Sequence, residues 1–266
     1  MNRGSRLLLA AVCLGAASCA PRLVALPSGA GAAFADFARA HDQATEPCRG
    51  IRTMAGILSI SGRAGSQRFR AKIDAGFEVP AKVRLELPAP GKPIFIFVAV
   101  GNDATLVLPR EARVLRNAPP AATLEALAGV AIGPADLRTI VTGCGFARGV
   151  PTRGRSFDPG WVAVDGGEAT SWLQQVDGAW RMMAATSGPI DVRYTDFSSG
   201  RPATIRLRAS MAQAGGQGAA MTDLTIRLSQ VDINEPLDGA VFTVDVAPDA
   251  TPMTLDQLRQ AGPLGR

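Results

Sequence analysis

From residue 69 to residue 79 apolar and polar side chains alternate without a break. Phe69, Ala71, Ile73, Ala75, Phe77 and Val79 fall on one side; Arg70, Lys72, Asp74 and Glu78 fall on the other. A period of two sets one row against a core and the other in water, which predicts a half-buried antiparallel strand. Val83, Leu85 and Leu87 against Lys82, Arg84 and Glu86 repeat the pattern, after a Pro80-Ala81 join short enough for a hairpin or bend. Residues 94–100 are apolar on both faces, so their inward face is undetermined. The Gly101-Asn102-Asp103 turn then sends the chain back through residues 105–108.

The period then changes from two to that of a helix. Residues 121–130 and 134–141 predict two helices, the second with Pro134 at its first position and Gly143 as its stop. Their apolar faces carry Leu124, Leu127, Leu137, Ile140 and Val141. Residues 148–159 read as a Gly/Pro/Arg loop, after which strands return at 161–164, 171–176, 179–184, 190–195, 202–210, 221–231 and 240–244. About eleven or twelve strands result. A short helix at 32–41 and a last helical turn with Leu255 and Leu258 complete the prediction.

This order of elements predicts a mainly β, minor α+β domain: a single large, strongly curved antiparallel sheet whose concave face is stopped by the mid-chain helices. A sheet of this size must curl or close to protect its edges. An interior wider than its side chains can fill would hold a lipid; the alternative is a packed interior. The alternating apolar faces nominate Ile73, Phe77, Leu85, Phe95, Phe97, Leu124, Leu127 and Trp172 as lipid-binding residues. Trp161, Trp172 and Trp180 also fit ordinary core or cross-strand packing.

The N-terminus changes the setting. Arg3 and Arg6 precede an apolar run over residues 7–17 that is too short to cross a bilayer, and small residues follow, as in a secretory signal. Ala16-Ala17-Ser18-Cys19 resembles the lipobox of bacterial lipoproteins, with Ala16 where an aliphatic residue is usual; a plain cleavage site beside a coincidental cysteine is the alternative. The expected organisation is a signal peptide at 1–18, lipidation on Cys19, a flexible Ala/Gly/Pro tether at 19–33 and a single domain at 34–266. With 266 residues, 47% of them apolar, the chain can bury one good core.

Export also bears on the remaining cysteines. Cys48 and Cys144 would meet an oxidising compartment, where a lone pair is often a disulfide; two free buried thiols are the alternative. The net charge of +5 falls to +3 once Arg3 and Arg6 leave, which suits a solvated surface or a face near anionic lipid. No Lys/Arg cluster of the nucleic-acid type is evident. His41 is the only histidine, and neither a nucleophile elbow nor a phosphate loop nor a zincin motif occurs, so no catalytic residue, metal site or cofactor is expected. Asp158, Asp165, Glu168 and Asp177 fit turn chemistry better than a carboxylate pair.

The segment Val79-Pro80-Ala81-Lys82-Val83-Arg84-Leu85-Glu86-Leu87, with the apolar strand and Gly101-Asn102-Asp103 turn behind it, resembles the periplasmic lipoprotein-carrier and outer-membrane lipoprotein-receptor family of the Lol system. Val231-Asp232-Ile233-Asn234-Glu235-Pro236-Leu237, with Phe242 and Pro248, is similar to that family's ending. The resemblance covers roughly residues 51–248 and implies an unclosed, helix-capped barrel that takes acyl chains of lipoproteins or phospholipid. Two departures stand out. Pro88-Ala89-Pro90-Gly91-Lys92-Pro93 lacks the exposed leucine of receptor members, and Cys19 would tether a chain whose carrier relatives are soluble. Ala20 is unlike the aspartate of inner-membrane lipoproteins, which implies an outer-membrane lipoprotein facing the periplasm. The expected function is lipid or lipoprotein handling without catalysis; the alternative is an assembly lipoprotein that binds envelope proteins.

Overall fold

The computed structural model describes residues 25–147, 149–211 and 220–262. The expected signal peptide, Cys19 and the first part of the tether lie outside them. In chain order the elements are β1 (Ala32–Ala33), α1 (Phe37–Arg49), β2 (Thr53–Ala64), β3 (Gln67–Glu78), β4 (Lys82–Leu87), β5 (Phe95–Val100), β6 (Asp103–Leu108) and β7 (Arg113–Ala118). Helices α2 (Pro120–Ala128) and α3 (Pro134–Thr142) follow. The chain then forms β8 (Arg153–Phe157), β9 (Trp161–Gly166), β10 (Ala169–Val176), β11 (Ala179–Ser187), β12 (Ile190–Ser198), β13 (Arg201–Met211) and β14 (Ala220–Ile233), and ends in a 3-10 turn (Gly239–Phe242), β15 (Thr251–Pro252) and α4 (Leu255–Ala261).

All 15 strands belong to one unclosed sheet built from two meanders, β2–β7 and β8–β14. They join back to back where β14 pairs with β2 over nearly the whole strand, from Thr222 opposite Ala64 to Ile233 opposite Met54. Residues from both ends of the sheet, Val162 and Val164 in β9 and Leu115 in β7, share one core cluster with α1, α2 and α3, so the sheet curls around its helices. Both free edges are two-residue strands. β1 pairs with β8, and β15, containing Pro252, pairs with β7 in the one parallel contact among the described strands. Short edges and an edge proline are how an open sheet avoids recruiting further strands.

Several expectations need correcting. The tether was expected to run to residue 33, but Ala32–Ala33 already pairs with β8, and the first helix runs over Phe37–Arg49. Its buried stripe is small, Ala40, Ala44 and Cys48 at a spacing of four, and so weak as an apolar signal. That stripe lets α1 lie close on β8, where a Cβ on Gly154 would stand 2.3 Å from Phe37 Cβ. Residues 148–159 hold β8, whose Arg/Gly/Ser composition hides a strand paired on both sides. Residues 240–244 form the 3-10 turn and its exit rather than a strand. This segment lies on the outer side of β5, beside Ile96, which is why β5 is apolar on both faces while Phe95, Phe97 and Ala99 point inward.

The two motifs behind the family resemblance meet here. Arg84 donates to the carbonyls of Val241 and Thr243 and pairs with Glu86. Asn234 accepts from Arg52 N–H at 2.7 Å and donates to Gly50 C=O at 3.1 Å, which clamps the start of β2. Phe242 is buried beneath the Lys82 ammonium. These residues are structural: they fasten the C-terminal segment across the strands that open the first meander.

Candidate functional site

Pro120 and Pro134 start α2 and α3 where no N–H is required, and Gly129 and Gly143 stop them in the left-handed conformation. The two short helices therefore fold back over the concave face as a lid. Thr222 Oγ1 donates to the Gly129 carbonyl at 3.1 Å, Leu258 of α4 is fully buried where α4 meets α2, and Cys48 is bonded to Cys144 just beyond α3, Cα to Cα 5.9 Å. The expected disulfide is thus present, with Cys48 in the last turn of α1.

Beneath the lid is an apolar chamber of about 90 Å³. Leu58 and Ile60 of β2, Phe69 and Ile73 of β3, Leu85, Phe95, Leu207, Leu224 and Ile226 form its floor. Leu124, Leu127, Ala128, Val130, Ile132 and Leu137 form its roof. Every lining side chain is hydrocarbon, so the space offers water no hydrogen-bond partner and favours an apolar occupant.

Of the eight nominated residues, Ile73, Leu85, Phe95, Leu124 and Leu127 line this chamber. Phe77 and Phe97 are fully buried in the same core but do not line it. Trp172 lies on the outer face of β10, its ring 5.7 Å from Phe157, and its indole N–H is buried without a partner. The pairing of β10 with β9 is unbroken from Ala169 to Gln174, and Leu173, next to Trp172, faces inward with no exposure; the irregularity beside them falls in β11, at Met183. Adjacent apolar residues in a strand point to opposite faces, and the pattern alone does not say which of the two points inward. The alternation named about a third of the lining; Leu207, Leu224 and Ile226 of the second meander carry the same signal but come into range only through the pairing of β14 with β2.

A second space, about 410 Å³ and of mixed polarity, opens between α1, α3, residues 144–147 and 149–151, and strands β9 and β10. His41, Asp42, Arg49, Arg138 and the disulfide line it. Arg49 pairs with Asp42 at 2.7 Å. Arg138 Nε is buried without a hydrogen-bond partner, and burial holds the guanidinium below its ordinary pKa. Burial likewise lowers the pKa of His41, with Asp42 opposing and Arg49 assisting. Of the carboxylates considered for chemistry, Asp165 sits on the outer face. Burial alone would raise its pKa, but hydrogen bonds from Arg155, Arg153 and Thr170 bring it below the usual range, so it is committed to structure. Among the described residues, no helix is long and apolar enough to cross a membrane.

No protein-family model matches the sequence, and no curated protein matches it. Solved structures do. A LolA superfamily protein from Nitrosomonas europaea aligns with a TM-score of 0.53 and 14% identity, covering 77% of this chain and 96% of its own. A DUF1329 family protein from Desulfovibrio piger aligns with a TM-score of 0.50 and 10% identity, covering 78% of this chain and 95% of its own. Both alignments span more than three quarters of this chain, which therefore shares the fold of that LolA superfamily protein.

Proposed function

We propose that the protein is a non-enzymatic lipid-handling lipoprotein, tethered to the outer membrane through Cys19, that receives an acyl chain of a lipoprotein or phospholipid beneath the α2–α3 lid. The observation that carries this reading is the chamber whose entire lining is hydrocarbon. Burying an acyl chain there yields roughly 0.8 kcal/mol per methylene, with no polar group to desolvate. The LolA-superfamily fold supports the same reading.

At about 90 Å³ the chamber is far below the roughly 300–1,000 Å³ typical of ligand sites. Loading therefore requires α2 and α3 to rise from the sheet. The polar ties are few: α2 is held at its end by one threonine hydrogen bond and otherwise by apolar packing on the two-turn helix α4 and on the sheet, while the disulfide retains α3 as a pivot.

Native mass spectrometry of the chain purified without detergent from a periplasmic expression host tests the proposal. The expected spectrum contains co-purified phospholipid or fatty acid, lost in Ala128→Phe, which fills the chamber without introducing charge, and in Leu85→Glu. Circular dichroism verifies that each variant is folded. A mass that stays unliganded after incubation with lipid vesicles would favour the assembly lipoprotein that binds protein partners. Release of a Cys19→Ser variant from the membrane fraction tests the tether separately.

A further inference from the structure

The strands that floor the chamber also have an outer face, and its chemistry is the opposite. Cross-strand pairing aligns Asp191, Arg208, Asp223, Arg63 and Arg68 in one row across β12, β13, β14, β2 and β3. The next row reads Arg193, Arg206, Thr225, Ser61, Arg70, and the one after it Thr195, Thr204, Arg227, Ser59, Lys72. Eight cations and two carboxylates make a local charge of +6, against +5 for the entire chain. The rows occupy about 19 Å by 13 Å between Cα positions.

Internal pairing neutralises little of this charge. Arg206 holds Asp223 by two hydrogen bonds of 2.7 and 2.6 Å, with Arg208 at 3.4 Å from the same carboxylate, and Arg193 pairs with Asp191. Arg63, Arg68, Arg70, Lys72 and Arg227 have no carboxylate partner among the described residues, and all five are exposed. Arg193 directly opposes Arg206, and Arg63 directly opposes Arg68. Like charges in register destabilise a sheet, so folding alone gives no reason for this arrangement. The residues between the cations are Ser59, Ser61, Thr204 and Thr225, short hydroxyl side chains that leave the guanidinium groups standing clear and can themselves donate to phosphate oxygens.

We infer that this outer face of β12–β13–β14–β2–β3 docks on an anionic phospholipid surface. A broad array of cations, five of them without a carboxylate partner among the described residues, matches a layer of headgroup phosphates, and its attraction falls off within a Debye length. The patch has no aromatic side chain for base stacking and no projecting helix for a DNA groove, which favours a bilayer over a nucleic acid. Docking in this way places the chamber one sheet thickness from the lipid, because Ile60, Phe69, Ile73 and Leu207 project inward from the very strands whose arginines project outward. The inference is independent of whether the chamber holds a lipid.

Full-length protein carrying Cys19→Ser, which removes the lipid anchor, is sedimented with vesicles of phosphatidylcholine alone or with added phosphatidylglycerol. Binding to the phosphatidylglycerol vesicles only, suppressed between 50 and 500 mM salt, is the expected result. Arg68→Glu/Arg70→Glu/Lys72→Glu should lower the partition coefficient at least about tenfold. Arg52→Glu/Arg116→Glu/Arg259→Glu, an equal change of charge elsewhere, should retain most of the binding. Absence of vesicle binding, equal loss in both triple variants, or binding to duplex DNA in preference to vesicles would overturn the inference. If the patch triple variant does not fold, Lys72→Glu and Arg227→Glu singly, read as a change in salt dependence, decide the matter.

Discussion

Leu137 and Arg138 are neighbours in α3, yet Leu137 closes the apolar chamber and Arg138 faces the mixed cleft. Successive helical residues point about 100° apart, so one helix lying along a concave sheet divides the space beneath it into two environments. The cleft is the larger, at about 410 Å³ against about 90 Å³. Size alone would direct attention to it. Its lining mixes the Arg49–Asp42 pair, the Arg138 guanidinium and the His41 imidazole with the apolar side chains of Phe146, Val150 and Val164, with no common preference for a ligand. The chamber is small but chemically uniform, and uniformity is what identifies an occupant.

The disulfide is the strongest tie between the two regions, and removing it is the severest test of their separation. Cys48→Ser/Cys144→Ser opens a loop of 96 residues, which the chain-entropy account values at about 4–5 kcal/mol as an upper figure. Urea denaturation should register most of that loss. A change under about 1 kcal/mol would mean that helix packing alone holds the partition.

Leu127→Ala, in the chamber roof, comes next in size. Truncating a buried leucine costs about 2–5 kcal/mol, and the value here should fall near the lower end because open space already adjoins the side chain. The same variant should take up more lipid. Greater stability without greater uptake would imply that the roof had collapsed into the gap.

Arg138→Leu probes the opposite side of the helix. The buried Nε lacks a partner and makes the arginine costly, so the substitution should leave stability within about 1 kcal/mol, on the stabilising side. A loss beyond about 2 kcal/mol would show that the cleft supplies a counter-ion to this group. The smallest effect concerns His41. Its folded pKa lies below 6.5 because burial disfavours the charged form, so the unfolded chain binds the proton more readily and stability declines as pH falls below that value. His41→Gln should remove this part of the slope in melting temperature between pH 7.5 and 5, whereas chamber variants should keep it.

Strands with an unbroken period of two were legible from the chain. In β3 and β4 the alternation assigns Ile73, Phe77 and Leu85 to the interior, where they are buried. The proline and glycine boundaries of α2 and α3 were equally readable, because each is a matter of one residue's own backbone. Trp172 was not, since it stands beside Leu173 and two adjacent apolar residues face opposite sides of a strand, leaving the inward one to be decided by packing. Nor was the 3-10 segment at Gly239–Phe242, whose role depends on the distant Arg84 that holds it.

What the sequence by itself determined, then, was local: the order and type of most elements, the polarity of the faces of strands with unbroken alternation, the capping of the lid helices and the two cysteines available for a bond. Tertiary structure decided what those faces meet. The pairing of β14 with β2 makes two meanders one sheet, adds Leu207, Leu224 and Ile226 to the chamber floor, and gathers arginines from five strands into one outer patch. Side-chain periodicity is set by the backbone at each residue, whereas register between strands more than 150 residues apart is set by the whole core, and only the folded chain expresses it.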